Sequence, residues 1–498
     1  MNYTSTRDTA GVHEASAAEA IKKGLCDDGG LYMPSEFPQI TDEMQSTLLA
    51  SDYPERAAKI LSLYLPEYGY ENLLSDAKAA YLSKFDGEIA PVKKLNDRIN
   101  ILELWHGPTC AFKDMALQIM PRLLSRALEL TGERKKALIL VATSGDTGKA
   151  ALEGFADVPQ TAISVFYPED GVSKAQKRQM QTQSGSNVNV TAIGGNFDDA
   201  QTGVKRIFSD TAYSAELESR GVFLSSANSI NWGRLAPQIV YYISAYCDMV
   251  NDGSLKFGEK LDVCVPTGNF GNILAAYIAK EMGLPLGKLI CASNDNNVLT
   301  DFLTDGKYDR NRPFHTTVSP SMDILISSNL ERLLYLAAGH ERCAYYMNEL
   351  KENGRYTVDD DVLAKIQEDF VGLWCGETEC LAEIASVFER YAYLIDTHTA
   401  VALRCAESYA EGSSEKNKIL VVSTASPYKF APAVCRALNL DGTGEDSEVF
   451  MRLSDYTETA IPEPLWGVLT KDIRFANTIS PSEMKDDVSR FISSLENE

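Results

Sequence analysis

The chain is 498 residues long and carries 47 Lys+Arg against 70 Asp+Glu, a formal net charge of −23. That length spans several domains of about 100–200 residues, and so negative a balance argues against nucleic acid or an anionic membrane as partner. A composition 44% apolar and 23% charged is that of a globular chain, and the longest apolar run, Ile273 to Ala279, falls far short of the roughly 20 residues of a spanning helix.

Residues 1–95 read as a separate small unit. It opens on the polar run Tyr3-Thr4-Ser5-Thr6-Arg7-Asp8, and Met1 to Ala20 lack the apolar stretch of a secretory signal. A helix is predicted over 16–23, a turn at Gly29-Gly30, and helices over 42–65 and 71–83. Residues 85–100, with Gly87 and Pro91, read as the connection to the next unit.

The region 96–440 alternates strands and helices, with a smaller α/β subdomain at about 130–230. Residues 106–114 lead into a helix predicted through Leu130 and kinked at Pro121. Three strand–loop–helix units follow: strand 136–141 with the polar loop 143–148, strand 261–265 with the loop 266–272, and strand 419–422 with the loop 423–426. Short branched apolar runs followed by polar loops and helices predict an α/β fold, parallel sheets covered by helices on both faces. Ligands then sit at the carboxyl ends of the strands, where all three loops lie. Helical patterns also cover 198–213, 236–250 and much of 329–350. The Asn/Asp/Pro-rich stretch 295–328 reads as a long irregular loop, a length that is often functional. The acidic piece 441–498 reads as an extension wrapped over the surface.

The loop Gly268-Asn269-Phe270-Gly271-Asn272 is the best phosphate cradle, because glycines let backbone N–H groups converge at a helix start; a tight structural turn is the other reading. Its spacing does not meet G-x-G-x-x-G. The loop Thr143 to Gly148 lacks the first P-loop glycine, yet its hydroxyls and helix start could take a carboxylate or simply cap the helix. Lys113 follows a small apolar run at a predicted helix start, where desolvation and the helix dipole both disfavour the ammonium. A Schiff-base lysine needs that state, although most lysines are surface charges. Asn228-Ser229-Ile230-Asn231-Trp232-Gly233-Arg234 gathers amides, a hydroxyl and a guanidinium, a set that suits an oxyanion or a helix cap. His398 in Asp396-Thr397-His398-Thr399 reads as a hydrogen-bonded structural residue. The five histidines are far apart and the ten cysteines form no CxxC, so a metal site is not expected and free thiols in a reducing cytoplasm are.

In order along the chain, these segments resemble the threonine synthase family. The resemblance rests on Tyr3 to Arg7, His106-Gly107-Pro108-Thr109 with Phe112-Lys113-Asp114, Ser144-Gly145-Asp146-Thr147-Gly148, Asn228 to Trp232 with Arg234, Gly268 to Asn272, Asp396 to Ala400, and Ser423-Thr424-Ala425. After the last of these, Ser426-Pro427 stands where His-Pro is common. The resemblance implies fold type II, the tryptophan-synthase-like fold, with a small N-terminal domain of the long form. It implies pyridoxal 5'-phosphate held by Lys113, its phosphate on Gly268, Asn269, Phe270, Gly271 and Asn272, and its ring nitrogen facing Thr424. Ser144, Asp146 and Thr147 would take the substrate carboxylate, and Ser229, Asn231 and Arg234, joined by Arg7, its phosphate. The implied reaction turns O-phospho-L-homoserine and water into L-threonine and phosphate in the cytoplasm, by a monomer or homodimer. A regulatory segment ahead of Tyr3, as in plant members, is not expected. A serine/threonine dehydratase would not need the 228–234 set or the N-terminal unit, and a dead relative would have lost Lys113.

Overall fold

A computed structural model describes residues 1–170 and 172–496; the last two residues of the predicted 441–498 extension lie outside it. Two sheets organise the molecule. The six-stranded sheet runs, in order, Phe370–Trp374, Leu286–Ser293, Leu261–Pro266, Lys418–Ser423, Ile99–Glu103 and Val92–Lys94. Its first five strands are parallel and the last pairs antiparallel. The five-stranded sheet is parallel and runs Thr478–Ile479, Val188–Ile193, Thr161–Pro168, Lys136–Ala142 and Val222–Ser225. Leu261–Pro266 and Thr161–Pro168 are buried along their whole length, which is why they read as continuous apolar runs rather than alternations.

The departures from the sequence reading have local causes. The helix predicted over 42–65 is two, Asp42–Leu49 and Tyr53–Tyr64, because the Asp52 side chain accepts from the Glu55 N–H and starts a new helix with Pro54 in its first turn. The helix after Lys113 breaks at Gln118–Ile119, ahead of Pro121, into Asp114–Leu117 and Met120–Leu130. The stretch 295–328 is not wholly irregular: it holds the helix Val298–Asp305 and the strand Lys307–Asp309, whose partner is the distant Arg355–Thr357. Residues 85–100 are more than a connection, since Val92–Lys94 is the edge strand of the larger sheet. The C-terminal piece does not merely wrap the surface. Thr478–Ile479 adds an edge to the smaller sheet, and Asp487 on the helix Met484–Glu496 accepts from Asn189 and Thr191.

The N-terminal residues pair as Tyr3–Ser5 against Tyr32–Pro34. Tyr3 and Tyr64 both meet Trp232 edge-on, at 5.6 and 5.4 Å between ring centroids. Trp232 begins the 20-residue helix Trp232–Asn251, which is buried almost throughout, as a helix apolar on every side must be. The N-terminal unit therefore fixes the start of the helix that carries Arg234.

Candidate active site

Leu261–Pro266, Lys418–Ser423 and Ile99–Glu103 are adjacent and parallel, so the segments that follow them emerge side by side. These are the loop 267–270, the segment 424–426 and the segment leading to Lys113. Backbone bonds tie the last two: Phe112 N–H donates to the Thr424 carbonyl at 2.8 Å and Ser426 N–H to the Cys110 carbonyl at 3.0 Å, around an Ala111–Ala425 bridge. Thr424, itself buried, is thus held against the backbone beside Lys113. The Ser426 side chain caps the turn Pro427–Phe430 by accepting from Tyr428 N–H.

The Lys113 side chain is 10% exposed and its Nζ lies 3.6 Å from Asp146 Oδ2. Burial lowers its pKa, opposed by Asp146 and helped by the charges of Arg234 and Lys429. Asp146 also accepts from Lys429 Nζ at 2.7 Å and from Gln176 Nε2 at 2.7 Å. Burial alone would raise the Asp146 carboxyl, but Lys429 and Lys113 hold it well below the usual carboxylate range. Asp114, next to Lys113, is pushed up to about 6 by burial, against the bonds it accepts from Thr109.

Asp146 is therefore a correction in one respect. Its side chain is an anion committed to two lysines and cannot receive a carboxylate; what the segment offers is backbone N–H. The helix begins at Asp146, three residues before the predicted Lys149, with Gly145 as N-cap and without a side-chain cap. Thr147 accordingly sits in the first turn, and Ser144 is exposed just ahead of it. The first-turn N–H groups of such a helix have no partner within it.

The helix Gly271–Glu281 starts the same way, with Phe270 in the left-handed region at φ 61° and no side-chain cap. A Cβ on Gly268 would meet the Ser321 carbonyl at 2.6 Å, so this turn requires glycine for close approach. Asn269 is exposed. Asn272 is buried; its Oδ1 accepts from Tyr241 and from Tyr242, the latter at 2.6 Å, while its Nδ2 has no partner among the described residues.

Arg234 is 6% exposed and donates from Nη1 to the Ala227 carbonyl at 2.9 Å. Burial brings its pKa down to about 10. Ser229 lies 3.4 Å from the Ser328 hydroxyl. Asn231 is a second correction: its Nδ2 donates to the Ile21 carbonyl and its Oδ1 accepts from Gly233 N–H, so it is the helix cap, with both arms taken by the fold. Arg7 makes a bidentate pair of hydrogen bonds to Glu331, at 2.7 and 2.6 Å, so it is a paired cation. His398 is buried against Asp396, as the sequence suggested.

Sequence reasoning missed Lys429, Ser321 and Arg332. Lys429 is buried in the turn Pro427–Phe430, just beyond the flagged 423–426 loop, and nothing local marks it. Ser321 lies in the 295–328 stretch, whose length was the signal. Arg332 is fully buried and donates to the carbonyls of Tyr32 and Ile230 and to Asn329 Oδ1. Asn329 in turn donates to the Asn269 carbonyl, so Arg332 joins the 228–234 segment to the 267–270 loop.

Three family models match the chain: "Threonine synthase N terminus" over residues 2–81, "Pyridoxal-phosphate dependent enzyme" over 88–425 and "Threonine synthase, C-terminal" over 399–488. The chain is 43% identical to human "Threonine synthase-like 1" over 86% of its own length but only 59% of that protein's. It is 37% identical to the threonine synthase of Schizosaccharomyces pombe, covering 88% of this chain and 90% of that one. The crystal structure of a pyridoxal-phosphate-bound threonine synthase from Brucella melitensis superposes with a TM-score of 0.88 at 35% identity, over 99% of each chain. With end-to-end matches in sequence and in fold type II architecture, the chain belongs to the threonine synthase family of pyridoxal-phosphate-dependent enzymes.

Proposed function

We propose that this chain is a threonine synthase, converting O-phospho-L-homoserine and water to L-threonine and phosphate with pyridoxal 5'-phosphate. The observation that carries the reading is the buried guanidinium of Arg234, which lies close enough to Lys113 to lower its proton affinity and donates to one carbonyl rather than to a carboxylate. Such a group is costly to bury unless an anion completes it.

The residues fit the cofactor. The amine of Lys113 is desolvated, the helix at Gly271 presents uncapped N–H groups, and the Asn272 Nδ2 is a buried donor without a partner among the described residues. Lys113 would hold the cofactor covalently, Gly268 to Asn272 its phosphate, and the Thr424 hydroxyl its ring nitrogen. When bound, the cofactor supplies an electron sink for negative charge developing at the substrate's Cα and Cβ. Lys113 would take the proton from Cα and serve as the proton carrier at the neighbouring carbons. The Arg234 fork and Ser229 would hold the phosphate as it leaves Cγ, where its charge grows. N–H groups of Ser144 to Thr147 would hold the carboxylate at a helix N-terminus. Water adds its hydroxyl at Cβ, and Cγ ends as a methyl group. The substrate is a small molecule, with neither nucleic acid nor membrane as partner, and the buried free thiols suit a reducing cytoplasm.

Incubation with O-phosphohomoserine should release phosphate and form threonine in equal amounts. Turnover of threonine to 2-oxobutyrate without phosphate release would make the chain a dehydratase instead. Borohydride reduction and peptide mapping should place the pyridoxyl group on Lys113; any other lysine overturns that role.

A further inference from the structure

Ser321 brings a further element onto Lys113. Its hydroxyl lies 3.3 Å from Lys113 Nζ and 3.5 Å from Asp146 Oδ2. The amine can therefore donate to the hydroxyl and the hydroxyl to the carboxylate, a bridge alongside the direct 3.6 Å ion pair. The charged neighbours of Lys113 are Asp146 from the helix after 145, Arg234 from the long buried helix and Lys429 from the turn 427–430. Ser321 is the neutral member of this shell.

Ser321 sits in one short turn, Pro320–Met322, which has little regular structure of its own to hold it. His398 supplies a hold. Ser321 N–H donates to His398 Nε2 at 3.2 Å, so the ring carries its proton on Nδ1, which faces Asp396 Oδ2 at 2.7 Å. Asp396 is fully buried and caps the helix Thr397–Gly412, accepting from the N–H groups of His398 and Thr399 and from the Thr399 hydroxyl. The Thr399 hydroxyl is 2.9 Å from Ser423 Oγ, one residue before Thr424. Phe430 packs on the imidazole, 4.7 Å between centroids. The ring is thus fixed in orientation and in tautomer by groups of the fold.

We propose that Ser321 is a further member of the site, bridging the Lys113 amine to Asp146, and that the Asp396–His398 pair is the positioning device that keeps it there. The inference rests on Lys113 being the reactive amine. A hydroxyl that accepts from the ammonium favours the charged form, so its loss lowers the pH at which Lys113 becomes reactive. A purely structural role for these residues would not move that pH.

The test uses the full chain freed of cofactor. Lys113 is labelled with an amine-acylating reagent across a pH series, and the labelled peptide is quantified by mass spectrometry. Ser321→Ala should lower the labelling midpoint, and Ser321→Thr should keep it. His398→Asn, whose amide reaches Asp396 but stops short of Ser321, should lower it by the same amount. His398→Gln, whose amide reaches as far as Nε2, should restore it, and the double variant should shift no further than either single one. In the cofactor-loaded enzyme, kcat should fall about tenfold for Ser321→Ala. A wild-type midpoint in Ser321→Ala overturns the bridge. A wild-type midpoint in His398→Asn beside a shifted Ser321→Ala overturns the positioning role, and if His398→Asn does not fold, Ser321→Ala against Ser321→Thr decides the bridge alone. Labelling needs no turnover, so failure here is distinct from failure to make threonine.

Discussion

Asp146 and Glu383 are both buried carboxylates, and their surroundings are mirror images. Asp146 stands between two lysines, Lys429 at 2.7 Å and Lys113 at 3.6 Å. Glu383 shares one arginine with a second acid: Arg390 lies 3.2 Å from Glu383 and 3.1 Å from Glu407. Burial raises both carboxyls, but the lysines overcome it at Asp146, whereas Glu407 adds to it and takes Glu383 up to about 7. The active site thus gathers cations, with Arg234 added, in a chain of net charge −23. The pair on the helices Glu377–Tyr391 and Thr397–Gly412 holds acid in excess. A local surplus of buried charge is evidence of function where an anionic ligand would complete it, and of strain where nothing would.

Removing the shared anion should have the largest effect. Asp146→Asn keeps the shape but leaves Lys113, Lys429 and Arg234 facing one another, and losing one partner of a buried pair costs about 3–5 kcal/mol. Denaturant unfolding of the cofactor-free chain should show that loss; unchanged stability would mean that Asp146 does not hold the cations.

Arg234→Ala should separate the surplus charge from the structural ones. It strips one hydrogen bond, to the Ala227 carbonyl, so stability should change little, while kcat/KM for O-phosphohomoserine falls at least about tenfold, or about 1.4 kcal/mol. Because the phosphate gains charge as it leaves, kcat should fall as well as KM rise, and Arg234→Lys should restore little, a point charge being no substitute for the planar fork. Arg332 is the contrast: also buried, it donates to two backbone carbonyls and Asn329, and its loss should be read in stability first. Lys429→Met leaves Asp146 to Lys113 alone. The Lys113 amine should then hold its proton to higher pH, and the rate of pyridoxal phosphate uptake by the cofactor-free chain should rise only at more alkaline pH. An unmoved profile would show that Lys429 does not tune the amine.

How much of this was legible in the sequence follows from how local each signal is. The strands at 136, 261 and 418 and their loops were readable, since a buried parallel strand and its following helix are written in consecutive residues. So was the turn at Gly268, where two glycines open a helix. Asn231 was misread because an amide before a helix looks alike as ligand or cap; only its bond to Ile21, far away in the chain, decides. The ion pair of Asp146 was not legible because its partner Lys429 is remote, and no spacing announces a long-range ion pair. The edge strand Thr478–Ile479 is too short to carry a pattern, and its identity comes from the sheet it joins.

The smallest expected effect tests the acid-rich end of the comparison. Glu383 has a folded-state pKa of about 7, above the roughly 4.3 of an unfolded glutamate. A group raised on folding stabilises fully below its unfolded value, and that contribution is lost as pH rises through the folded one. Between about pH 4.3 and 7 the wild type should therefore lose stability through Glu383, because ionising it buries a charge beside Glu407 that Arg390 and Arg404 only partly offset. Glu383→Gln keeps the shape and the capacity to hydrogen bond but cannot ionise. Its thermal midpoint should match the wild type's near pH 4 and exceed it near pH 8, by a modest margin because Arg390 is partly exposed and solvent screens the pair. Asp146 and the other titrating groups contribute equally to both proteins and cancel in the difference. If the gap between variant and wild type were the same at both pH values, Glu383 would already be ionised at the lower one, and the contrast between a carboxylate shared by two cations and a cation shared by two carboxylates would not hold.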